Sequence, residues 1–181
     1  MKSLIKTSSV ILAVCLATSS FSFAQDRSNN KARPSPNAEV SQTIGTTVVS
    51  LTMGRPGLKG RDIEKMIPDG EVWRTGANES TNITFSGDVK IGDASVEAGT
   101  YSLYTLRDKS SSSMTIIINS KLSWGTRYDE AEDVVRTTVP YTMGNHPAEW
   151  MAIYFDKLTD TSANMKIHWG EFQAVVPIAV K

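Results

Sequence analysis

From Ser41 to Ile178 the chain never sustains a helical period, and this limits its fold more than any other feature. Short runs of β-branched and aromatic residues alternate with turn clusters. Thr46 to Met53 is one such run, closed by Gly54-Arg55-Pro56-Gly57. Val89-Lys90-Ile91 and Ala94-Ser95-Val96 flank Gly92-Asp93, a two-residue linker suited to a tight hairpin turn. Thr100 to Leu106 carries large residues on both faces and reads as a central strand, and Met114 to Ile118 reads as a fully buried one. Further strands are expected at Thr81–Phe85, Asp133–Val139, Trp150–Phe155, Asn164–Trp169 and Phe172–Ile178, with one brief helical turn at Asp62–Ile67. In the 164–169 run, Met165, Ile167 and Trp169 share one face and Lys166 and His168 the other. Such spacing predicts an all-β fold, an antiparallel β-sandwich (jelly-roll or Ig-like) of roughly eight to ten strands.

The first residues have a different character. Lys2 and Lys6 precede an apolar run from Val10 to Ala17, and Ser22-Phe23-Ala24 sets small residues at the spacing of a cleavage site before Gln25. This is the layout of a secretory signal peptide over residues 1–24. A lipoprotein signal ending at Cys15 fits less well, because Val14 is bulky where a small residue is needed. Residues 25–40, with Pro34 and Pro36, are polar and are expected to form a flexible linker. Residues 41–181 then form a single domain. Removal of 1–24 leaves 157 residues, enough for one core without a metal or disulfide staple, and removes the only Cys. It also removes two of the 19 basic residues and no acidic one, leaving a balance of −2. Phosphate neutralisation on nucleic acid has no basic excess to drive it, and no later run is long and apolar enough to be a membrane helix.

The usual catalytic sets do not assemble from this sequence. Without Cys after residue 15, and with only His146 and His168, ordinary zinc ligation is not expected, nor is any cofactor. His168 reads as an outward residue of a strand, and His146 lies in a Gly-Asn-His-Pro loop. The acidic run Asp129 to Asp133 lacks the internal Gly and alternating ligands of a calcium loop, and reads as a solvated lead into a strand.

One stretch, Glu71 to Ser80 (EVWRTGANES), crowds Trp73, Arg74, Asn78 and Glu79 around a turn. The preceding GRPGLKGRDI supplies Arg55 and Arg61, so Glu79 has Arg74, Arg61 and Arg55 as candidate partners for a planar, forked ion pair. The structural reading buries Trp73 and ties Glu79 to an arginine of its own chain. The functional reading makes the same residues a pocket for a sugar or an anion. A glycosidase would need a second carboxylate roughly 5 to 9.5 Å from Glu79; Asp129, Glu130 and Asp156 are the candidates.

RPGLKGR (55–61), VWRTGANES (72–80), AGTYSLYT (98–105), WGTRYDEAEDVVR (124–136) and the terminal SANMKIHWGEFQAVVPI occur in that order. Together they resemble the secreted bacterial family called domain of unknown function 2911, over about residues 40 to 180. The resemblance implies an exported all-β domain of the Gram-negative envelope and supplies no catalytic residue. One departure is Asp69, where an aromatic is common in similar sequences. A non-catalytic binding or interaction module of the envelope is the leading expectation. Its site would comprise Trp73, Arg74, Asn78 and Glu79 with Arg55, Arg61, Trp124 and Tyr128, and its partner would be a carbohydrate, a small anion or another envelope protein. The alternatives are a glycan-directed hydrolase using Glu79 and a purely structural envelope protein.

Overall fold

The structure is a computed structural model that describes Arg27 and residues 31–180. The expected signal peptide and Cys15 lie outside the described residues. The elements are β1 (Asn37–Ile44), β2 (Thr47–Gly54), α1 (Ile63–Met66), β3 (Val72–Trp73), β4 (Ala77–Phe85), β5 (Val89–Ile91), β6 (Ala94–Val96), β7 (Gly99–Asp108), β8 (Ser113–Asn119), β9 (Asp133–Asp156) and β10 (Ser162–Val180). The strands pair antiparallel in the order β1-β2-β4-β7-β8-β9-β10-β5-β6, and β3 takes the β7 edge beyond β4. This is a β-sandwich, and the expected fold class holds. The helical turn is also where the sequence puts it, capped by Asp62, whose side chain accepts from the Glu64 N–H. No helix of the described residues is long and apolar enough to cross a membrane.

The strand β9 joins the two layers. Its first part, Asp133–Pro140, pairs with β8, and its second, from Tyr141 to Asp156, pairs with β10. Alternating inward residues of both layers then meet in one core. Leu51, Ile83, Leu103, Ile116 and Ile118 come from one layer, and Met151, Met165, Ile167, Phe172 and Val176 from the other.

Three expectations change. Asp133–Val139 and Trp150–Phe155 are ends of one 24-residue strand, and His146, expected in a loop, lies within it. The Asn164–Trp169 and Phe172–Ile178 runs are likewise one strand, β10. Its buried positions are odd-numbered up to Trp169 and even-numbered from Phe172. Gly170, at φ +56, sits at the register shift that resets this phase. The pairing slips on either side of it, from His168–Ala152 to Gly170–Ala148 and then to Phe172–Met143, and the strand turns over while its pairing continues. Finally, the segment 25–40 expected as linker is ordered at its far end: Asn37–Val40 begin β1, paired with Gly54–Leu51.

Candidate functional site

After β3 the chain must turn sharply to enter β4, and three of the four residues at that turn have positive φ: Thr75 (+50), Gly76 (+155) and Asn78 (+67). A β-branched residue there is strained unless its surroundings fix it. Thr75 is fully buried. Its Oγ1 donates to the Trp73 carbonyl at 3.4 Å and lies 3.1 Å from Thr105 Oγ1, and its own carbonyl accepts from Thr81 Oγ1 at 2.7 Å. Gly76 allows no side chain, because a Cβ would come within 2.8 Å of Thr81 Oγ1 and 3.0 Å of the Gly54 carbonyl oxygen.

The second characteristic segment meets this turn. The Ser80 N–H donates to the Ser123 carbonyl and the Gly125 N–H to the Asn78 carbonyl, both at 3.1 Å, so Trp124 lies bridged opposite Glu79. WRTGANE and WGTRYDE are therefore neighbours in space.

Glu79 faces inward and is only 7% exposed. Its partner is none of the three arginines expected. One terminal nitrogen of Arg33 spans both carboxylate oxygens, at 3.0 and 2.8 Å, and Arg27 Nη1 lies 3.8 Å from Oε2. Arg27 also donates to the Ser80 carbonyl, and Asn78 Nδ2 donates to the Ser35 carbonyl at 3.1 Å. Both arginines belong to the segment expected to be a tether. Burial alone would push the Glu79 carboxyl up. The hydrogen bonds from Arg33 and its own backbone, with the Arg27 and Arg33 charges, outweigh that and hold it below the usual carboxylate range.

The three expected arginines bond to carbonyls instead. Arg55 Nε donates to the Met151 carbonyl at 2.7 Å. Arg61 donates through Nε to Leu58 and through Nη2 to Gly57, at 2.9 and 2.6 Å. Arg74 Nε donates to the Gly76 carbonyl at 3.2 Å, and its terminal nitrogens make no hydrogen bond among the described residues.

Arg61 and Arg74 line an open cleft of about 610 Å³. Its other walls are Ser35, Pro56, Met66, Val72, Trp73, Gly76, Ala77, Gly125, Thr126, Tyr128 and Trp169. Trp73 stacks on Trp169 with centroids 5.9 Å apart and planes within 13°, so the floor is a rigid aromatic pair. Tyr128 donates to Asp133 Oδ2 at 2.6 Å and accepts from Arg136 at 3.1 Å. Burial and the Asp133 carboxylate push its hydroxyl up to about 12.

The cleft thus unites four of the eight expected site residues: Arg61, Trp73, Arg74 and Tyr128. Glu79 and Asn78 lie in the knot beside it, Arg55 is directed elsewhere, and Trp124 stands 48% exposed at the bridge. Asp69 is no wall of the cleft; it accepts from the Lys109 N–H at 2.8 Å. Met66, Gly125, Thr126 and Trp169 were not foreseen. Gly125 had one signal, its place beside Trp124 in a characteristic segment.

Fold and site define a β-sandwich domain with an arginine-lined cleft at one turn of its first layer. The chain belongs to the family described as a protein of unknown function, DUF2911, which matches residues 35–178. No curated protein and no solved structure matches it.

Proposed function

We propose that the chain is an exported, non-catalytic binding module of the cell envelope, with the cleft between Arg74 and Tyr128 as its ligand site. The observation that carries this reading is the make-up of the cleft wall. It offers anchored guanidinium groups, hydroxyls and an aromatic floor, and no wall residue among those described is Asp, Glu, His or Cys. Pockets that bind small molecules combine an apolar floor with a few convergent polar groups. A glycan hydrolase needs two carboxylates facing the scissile bond, whereas Glu79 is turned away onto Arg33. Tyr128 keeps its proton far above neutral pH. Export rests on the n-region, apolar run and cleavage pattern of residues 1–24.

A thermal-shift panel of neutral oligosaccharides, small carboxylates and small phosphates tests the site. A ligand at 100 times its Kd stabilises by about 2.7 kcal/mol. A hit on the native protein should vanish in Thr126→Trp, which fills the mouth from an exposed position. An empty panel would favour a purely structural envelope protein. Intact-mass measurement of protein from an envelope fraction should find Gln25 at the N-terminus; a retained Met1 would remove export from the proposal.

A further inference from the structure

Five other parts of the molecule differ from the cleft. The groove between β5, β6 and the end of β10 is lined by opposite charges, Lys90 against Asp88 and Glu97, so it presents no single charge for a ligand to match. The exposed Trp150 and Tyr154 are each covered in part by a lysine, Lys59 and Lys166. Arg107, 1% exposed, is paired with Glu64 under α1. The Tyr104 hydroxyl is buried beneath Tyr128, outside the cleft wall. The outer edge of β1, which pairs with β2, carries no feature that selects one occupant. The arginines of the cleft carry an argument further.

We infer that the cleft takes an oxyanion, a carboxylate or a phosphate on a small body with an apolar face, held between Arg74 and Arg61. This rests on the cleft being a ligand site and names what that ligand must carry. The first support is charge. Glu79, five residues after Arg74, is neutralised by Arg33 and Arg27, and Glu71, three residues before it, is exposed and makes no ion pair with Arg74 among the described residues, so the Arg74 charge is left uncancelled. Among the described residues Arg61 is likewise bonded only to carbonyls. A carbonyl fixes a guanidinium without cancelling its charge, as a carboxylate would. With no acidic residue on the wall among the described residues, the charge lining the cleft is two arginines, and an oxyanion is its complement.

The second support is preorganisation. An added Cβ at Gly125 would meet Arg74 Cδ at 2.5 Å and Arg74 Cβ at 2.9 Å. The Arg74 stem therefore lies flat against bare backbone at Gly125, and its Nε is tied to Gly76. Both ends of the stem are set before any ligand arrives, which lowers the ordering entropy of binding. Arg61 is fixed by two bonds to its own loop. Met66, Val72 and the Tyr128 ring supply the apolar face.

The test uses the mature protein with phenyl phosphate, benzoate, inorganic phosphate and neutral benzyl alcohol, with tryptophan fluorescence and thermal shift as readouts. Phenyl phosphate or benzoate should bind at millimolar concentration or below, and benzyl alcohol should not. The stronger of the first two tells phosphate from carboxylate, and a response to inorganic phosphate shows that the anion alone suffices. Arg74→Gln and Arg61→Gln, checked for folding by circular dichroism, should each weaken binding about tenfold or more, the value of one charge-assisted hydrogen bond. Arg127→Gln, an exposed arginine outside the wall, should leave it unchanged. If Arg74→Gln does not fold, Arg61→Gln on the exposed loop carries the same comparison. Equal binding of benzyl alcohol and benzoate, or undiminished binding in folded arginine variants, would overturn the inference. Chitobiose serves as the neutral sugar arm. If it alone binds, and Thr126→Trp abolishes the response, the binding module stands and the oxyanion falls. If no probe binds, both fall.

Discussion

Glu79 and Arg74 stand five residues apart on either side of one turn and end in opposite circumstances. On the closed side, Glu79, Arg33, Arg27, Asn78 and Ser35 form a knot in which the carboxylate has arginine partners and is out of solvent. On the open side, Arg74 and Arg61 are held by carbonyls, face a cleft and meet no acid among the described residues. The same residue types serve two ends. An arginine paired with a buried carboxylate contributes to the fold and is closed to ligands. An arginine tied only to backbone oxygens has its place fixed and its charge left open. The N-terminal segment completes the closed side, since both arginines that pair with Glu79 come from it.

The largest effect expected is on the closed side. Removing one partner of a buried pair leaves an uncompensated charge, so Glu79→Ala should lower stability by about 3–5 kcal/mol in urea unfolding. Arg33→Ala still leaves Arg27 3.8 Å from the carboxylate, so it should cost less than Glu79→Ala. A Glu79→Ala cost under about 1 kcal/mol, the range of a surface pair, would put the knot on the surface in energetic terms.

Acid should undo the same pair. Glu79 has a folded-state pKa below its unfolded value, so its contribution is fully present above about pH 4.3 and is lost as pH falls through the folded value. Wild type and Glu79→Gln, compared from pH 7 downward, should differ most at neutral pH and converge below about pH 4. A gap that widens on acidification would have the wrong sign for a depressed carboxyl.

Gly125→Ala sharpens the open side. Its methyl must displace the Arg74 stem and crowd the Asn78 carbonyl oxygen, 3.0 Å away. Stability should fall by about 1–3 kcal/mol, as overpacking does, and any oxyanion response should fall with it. The smallest effect is expected at Arg74 itself. It makes one hydrogen bond within the fold, so Arg74→Gln should change stability by about 1 kcal/mol or less while changing ligand response. A loss as large as that of Glu79→Ala would make Arg74 a structural group.

The fold was legible where local chemistry determines local structure. Gly92-Asp93 made the β5–β6 hairpin, Asp62 capped the one helical turn, and the alternation at Met165, Ile167 and Trp169 faced the core as expected. The long strands were not legible, because Pro140, Gly144, Pro147 and Gly170 read as punctuation. In β9, Pro140 falls where the strand passes from one layer to the other and Gly144 and Pro147 fall in the register shift between Met143 and Ala148, and in β10 Gly170 lies between two register shifts rather than at an end.

The crowded turn was legible as a place where polar and aromatic groups converge, and four of the eight residues expected with it line the cleft. Its wiring was not. Glu79 finds Arg33 from 46 residues away, in a stretch whose polar, proline-bearing composition resembles a tether. Ion pairing across such a distance leaves no periodicity, and three nearer arginines offered equal chemistry. The Trp73–Trp169 floor was hidden for the same reason, because it joins β3 to β10 across the sandwich.

Double-mutant cycles in urea unfolding test the contrast most directly. Glu79→Ala combined with Arg33→Ala should show a coupling energy above about 1 kcal/mol, as residues in contact do. Glu79→Ala combined with Arg74→Ala should be additive within about 0.5 kcal/mol. A coupling between Glu79 and Arg74 as large as that between Glu79 and Arg33 would contradict the account, because Arg74 would then belong to the knot and not to the cleft.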